Sequence, residues 1–139
     1  LAADLAPAVG LTVAACPGFV EFVERGETGS DQVHVLAERL LAPVSEAKVD
    51  ALLLGCTHYP FLARTIADVL GRDVIFVSSA DETAFAVQSQ LSIAGLRRPE
   101  SEARGATQWI SSGDITVFAD LGRRLLGPEL DQVTSHRWE

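Results

Sequence analysis

The run Asp50-Ala-Leu-Leu-Leu-Gly55 constrains the fold more than any other part of the chain. An apolar run this short and unbroken suits a strand covered on both faces, and such strands belong to parallel sheets. The loop Cys56-Thr57-His58-Tyr59 follows it. Pro60 then suits the first turn of a helix, where its missing N–H costs nothing. Phe61, Leu62, Ile66, Val69 and Leu70 give that helix an apolar face, and Gly71 is a natural stop.

The same alternation recurs on both sides. Leu11 to Ala15 reads as a buried strand ending at Cys16-Pro17-Gly18. Ser30 is placed to cap a helix whose core face is Val33, Leu36, Ala37, Leu40 and Leu41, with Pro43 disturbing its end. A strand over Val74 to Val77 leads through Ser78-Ser79 into a helix beginning near Asp81, with Ala84, Phe85, Val87 and Leu91 as apolar positions. Gly95 to Gly105 reads as a surface loop, Ala106 to Ser111 as a strand, and Ile115 to Leu126 as a helix closed by Gly127-Pro128. A last strand spans Asp131 to Ser135. Strands and helices spaced in this way predict an α/β fold, a parallel sheet with helices on both sides.

Length and charge narrow the function. The 139 residues suffice for a domain with a real core, and 47% hydrophobic with 22% charged residues is ordinary for a globular protein. A net charge of −8 argues against nucleic-acid binding, which needs clustered Lys and Arg. No apolar run approaches the roughly 20 residues of a membrane span. The start, Leu1-Ala2-Ala3-Asp4, has no signal-peptide pattern and no initiator Met, so the chain is expected to begin inside a longer protein. Cys16 and Cys56 sit in different apolar settings, which suggests a reducing cytoplasm over a disulfide framework. Cys16, Cys56, His34, His58 and His136 lack ligand-type spacing, so no metal is expected.

Chemistry centres on Cys56. Ligands of parallel α/β sheets bind beyond the carboxyl ends of the strands, where this residue lies. A following helix N-terminus would favour the thiolate form of such a thiol. His58 is placed to orient the thiol, exchange protons or bind substrate. Equally, a lone Cys in an apolar sequence suits a small core residue, and a His beside a Tyr is usually structural. The residues alone leave both open.

Gly55-Cys56-Thr57-His58-Tyr59-Pro60 resembles the signature around the second catalytic cysteine of glutamate racemases. Ala15-Cys16-Pro17, followed by Phe19-Val20 and Val23-Glu24, resembles an upstream block of the same family. Val77-Ser78-Ser79-Ala80 resembles the stretch where the chain crosses between its two domains. The resemblance implies a parallel-sheet αβα sandwich of the aspartate/glutamate racemase type, incomplete because the N-terminal half is absent. Residues 1–77 would form most of the second domain, and residues 78–139 the returning segment of the first.

The activity implied is cofactor-independent interconversion of L- and D-glutamate by two cysteine bases, supplying peptidoglycan synthesis in a bacterial cytoplasm. Cys56 would be one base, His58 its assistant and Thr57 a binder of the amino-acid head group. Glu24 corresponds to an acidic residue near the site, although a solvated surface carboxylate fits it equally. The partner base lies upstream of this chain, so Cys16 is expected to be a buried structural thiol. Glutamate is the implied partner, with no nucleic acid and no membrane, and a homodimer of the full-length enzyme is compatible. His58-Tyr59-Pro60 favours glutamate over aspartate. A non-catalytic, flavodoxin-like binding module is the reading from another class, weakened by the lack of a Gly-rich phosphate loop.

Overall fold

A computed structural model of the chain describes residues 8–99, 105–130 and 132–138. In chain order the elements are α1 (Phe19–Glu24), α2 (Asp31–Glu46), β1 (Ala51–Leu54), a 3₁₀ turn (Tyr59–Leu62), α3 (Ala63–Leu70), β2 (Ile75–Ser78), α4 (Ser79–Ile93), β3 (Trp109–Ser111), α5 (Ile115–Leu126) and β4 (Val133–Ser135). The fold is α/β with parallel strands. β1 pairs with β2, aligning Ala51 with Ile75 and Leu54 with Ser78, and β3 pairs with β4, aligning Trp109 with Val133. No described helix is long and apolar enough to cross a membrane.

The described residues divide into two compact units. The first holds the described residues up to Val23 together with Glu27–Asp81. Its core is formed by Phe19 and Val23 of α1, Val33, Ala37, Leu41 and Val44 of α2, Leu54 of β1, and Leu62 and Ile66 at the start of α3. Ser30 caps α2 as its type and position predict, accepting a hydrogen bond from the Val33 N–H at 3.3 Å. Thr65, buried in α3, donates to the Thr28 carbonyl at 2.7 Å and ties α3 to the loop before α2.

The structure departs from the sequence reading in several places. Leu11 to Ala15 does not form a strand: Leu11 and Val13 are exposed, and no described residue pairs with this segment. A strand exists only with a partner, and β1 is paired on its β2 side alone among the described residues. α1 has no counterpart in the sequence reading. It begins just after Gly18, whose φ of +94° is a conformation that side chains disfavour. Pro43 does not end α2, which runs on to Glu46 because Val44, beyond the proline, is buried and holds the last turn to the core. α4 starts at Ser79, and none of its residues is buried, so Ala84, Phe85, Val87 and Leu91 are exposed instead of packed. The strand expected from Ala106 shortens to Trp109–Ser111, and the last strand to Val133–Ser135. Residues 100–104 of the expected loop, Asp131 and the first four residues lie outside the described part.

The second unit holds Glu24–Gly26 and the described residues from Glu82 onward. Asp114 caps α5 by accepting from the Thr116 and Val117 N–H groups at 2.8 and 3.1 Å. Leu130, fully buried, packs against Gly122 so closely that a β-carbon there would run into its side chain, with Cδ2 at 3.2 Å and Cγ at 3.3 Å. Gly122→Ala gains helix propensity of about 1 kcal/mol. Overpacking a closed core costs about 1–3 kcal/mol, so the substitution is expected to destabilise, lowering the midpoint of urea unfolding followed by far-UV circular dichroism.

Candidate active site

The first unit brings Cys56, Thr57, His58 and Tyr59 together on a tight turn at the carboxyl end of β1. The Tyr59 N–H donates to the Cys56 carbonyl at 3.2 Å and the Phe61 N–H to the His58 carbonyl at 3.1 Å, folding the turn back on itself. The Cys56 thiol is half-buried and free, as is the Cys16 thiol, which is buried. His58 Nδ1 lies 4.0 Å from Cys56 Sγ and 3.4 Å from Thr57 Oγ1, so one ring nitrogen serves both neighbours. Such an arrangement lets the imidazole take a proton from the thiol or return one to it, with the hydroxyl able to donate to or accept from either tautomer. The α-helix that was expected to begin at Pro60 begins at Ala63, with the 3₁₀ turn between. Cys56 therefore precedes the 3₁₀ turn and does not lead directly into the α-helix.

Two residues that the sequence reading gave no site role hold this turn in place. The Tyr59 hydroxyl donates to the Cys16 carbonyl at 3.4 Å, and its ring meets Phe19 edge-on at 5.4 Å. Ser79, first residue of α4, donates to the Leu54 carbonyl at 3.3 Å, just before Gly55. The parallel register that sets Leu54 beside Ser78 is what puts Ser79 there. A serine following a strand that pairs with the thiol-bearing strand is the signal that marks it. Glu24 ends α1, is exposed and belongs to the second unit, so the cluster within the first unit is Cys56, Thr57, His58 and Tyr59.

Burial pushes the Cys16 thiol above its ordinary value of 9.0. The Tyr59 phenol is also raised, first by burial and then by the neighbouring Cys16 and Cys56 thiols, against a lowering by its bond to the Cys16 backbone. Both groups hold their protons more tightly in the folded state. Their contribution to stability is complete below the ordinary thiol value and is lost as pH rises past it. Urea midpoints are expected to be level around neutral pH and to fall at alkaline pH, with a shallower fall for Cys16→Ala.

An open cleft of about 1020 Å³ borders this turn. It is lined by residues 9–14, all of β1, Gly55 and Cys56, with Leu41 and Val44 of α2 behind them.

No family model matches the chain. It is 53% identical over 130 residues to the glutamate racemase of Acidothermus cellulolyticus, an alignment covering 94% of this chain and 49% of that protein. Among solved structures, a Bacillus anthracis glutamate racemase isoform superposes with a TM-score of 0.84 at 28% identity, covering 99% of this chain and 50% of that one. The Thermus thermophilus glutamate racemase, solved with beta-chloro-D-alanine, gives 0.79 at 34% identity, covering 96% and 51%. The chain thus spans about half the length of the relatives it matches. In sequence and in fold, it is similar to the C-terminal half of glutamate racemases.

Proposed function

We propose that this chain provides one half of a cofactor-independent glutamate racemase, with Cys56 as one of its two bases. The observation that carries the reading is the Cys56–His58 pair, 4.0 Å apart on a tight turn at the end of a parallel strand. In this scheme the Cys56 thiolate takes the α-proton of L-glutamate, leaving the bond's electron pair on the α-carbon. A second base on the opposite face returns a proton to that carbon, and the product is D-glutamate. His58 exchanges the proton with Cys56 between turnovers, and Thr57 holds the amino-acid head group. Glu24 would act from outside the cluster, on the positioning of charged groups.

Inversion needs a base on each face, so the chain by itself is expected to be inactive. Residues 1–77 are assigned to the second racemase domain and 78–139 to the returning part of the first. The product fits D-glutamate supply for peptidoglycan in a bacterial cytoplasm.

Thiol reactivity tests the reading. With iodoacetamide on the native chain, Cys56 is expected to react at least about tenfold faster than Cys16, which is both buried and held protonated. In a chimera carrying this chain in place of the C-terminal half of the Acidothermus cellulolyticus relative, glutamate should slow the Cys56 reaction. Equal inertness of the two thiols, or a Cys56 rate indifferent to glutamate, would speak for the binding-module alternative.

A further inference from the structure

We propose that Ser79 is a positioning residue for Cys56: its hydroxyl fixes the end of β1 from which the thiol is presented to His58. Its effect on racemisation rests on the reading above; its effect on the thiol rests on geometry. β1 and β2 pair in parallel from Ala51 opposite Ile75 to Leu54 opposite Ser78, so Gly55 and Cys56 lie past the last pair of the ladder. Gly55 has no side chain to anchor this stretch, and a β-carbon built there would meet nothing within 4 Å. The place of Cys56 is therefore set by what grips the backbone on either side of it. On the far side, the Tyr59 N–H donates to the Cys56 carbonyl at 3.2 Å.

The near side is Leu54. The Ile75 N–H donates to the Asp50 carbonyl at 2.9 Å, and carbonyls of alternate residues along a strand face the same neighbour. Leu54, four residues on, thus turns its carbonyl toward β2. β2 ends at Ser78, and the Ser79 hydroxyl donates to that carbonyl at 3.3 Å, one bond beyond the last pair. The adjacent serine has a different task. Ser78 Oγ accepts from the Asp81 N–H at 3.4 Å and satisfies a donor at the start of α4. Both serines are half-buried, yet one serves the helix and the other the strand. The Cys56–His58 separation of 4.0 Å is already long, so an outward shift of the end of β1 separates the pair. Ser79 opposes that shift.

Alkylation of Cys56 by iodoacetamide in the native chain tests this. Ser79→Ala is expected to slow the reaction at least about threefold, through misplacement of the thiol. Ser78→Ala should stay within about twofold of the parent rate while lowering the urea midpoint, as loss of a cap does. Ser79→Thr and Ser79→Val, alike in shape and different in the hydroxyl, repeat the comparison: threonine should keep the rate and valine lose it. His58→Ala also slows the reaction, and adding Ser79→Ala to it should change nothing further, because Ser79 acts only through the pair. Parent-like alkylation in both Ser79→Ala and Ser79→Val, an equal loss in Ser78→Ala, or losses that multiply with His58→Ala would each overturn the proposal. In the chimera, Ser79→Ala should lower kcat for racemisation roughly tenfold to a hundredfold with KM little changed. An unaltered chimera without activity, beside the expected alkylation pattern, would reject the racemase reading and leave the positioning role standing. An active chimera indifferent to Ser79→Ala would do the reverse.

Discussion

Cys56→Ala, in the chimera that restores the N-terminal half, is expected to lower kcat for glutamate racemisation by roughly 10³- to 10⁴-fold, in both directions. This is the upper part of the range for a positioned general acid or base. Among the described residues, the neighbouring groups are poor substitutes: His58 Nδ1 lies 4.0 Å from the thiol sulfur, and Cys16 is buried with its thiol pushed above its ordinary value. Because the proposed inversion uses both bases in each turnover, the loss should appear in kcat with little change in KM. Cys56→Ser keeps the shape and removes the acidity, so it should be nearly as inactive. A Cys56→Ala protein retaining more than about a tenth of the activity would remove this residue from the reaction.

Phe19→Ala is expected to have the largest effect on stability, about 3–5 kcal/mol. Phe19 is 1% exposed and is among the largest fully buried side chains. Its ring also meets Tyr59 edge-on, a pairing worth about 0.5–1.5 kcal/mol beyond area burial. Domains have only about 5–15 kcal/mol in hand, so the variant should be partly unfolded at physiological temperature. The loss reaches the site as well, since Tyr59 closes the Cys56 turn and donates to the Cys16 carbonyl. Urea unfolding of Phe19→Ala and Phe19→Leu separates the terms, with leucine expected to recover most of the loss.

What the sequence makes legible here divides along local and non-local lines. The bounds of α5 follow from Asp114 at one end and Gly127 at the other, because capping and chain reversal are decided within a few residues. β1 is legible because Ala51 to Leu54 is apolar throughout and bounded by Asp50 and Gly55. Leu11 to Ala15 has an equally strand-like composition but stays unpaired, since pairing depends on what lies across the gap. The apolar positions of α4 are periodic enough to suggest a buried face, yet burial also needs a neighbour. α1 escapes notice because six residues between two positive-φ glycines, Gly18 and Gly26, are too few for periodicity to register. At the site, the position of Cys56 follows from its place after an apolar strand, which the structure leaves exposed at Ala51 and Leu53. The hold of Tyr59 on Cys16, 43 residues away, and of Ser79 on Leu54 comes only from the tertiary arrangement.

The central claim, that this chain is the Cys56-bearing half of a glutamate racemase, is tested most directly by racemisation of L-glutamate in the chimera, followed by circular dichroism. The account predicts that the optical signal decays to zero as the racemate forms, at an enzyme-like rate and without added cofactor, while the chain alone leaves it unchanged. A folded chimera that leaves L-glutamate untouched, or a chain that racemises it unaided, would contradict the account.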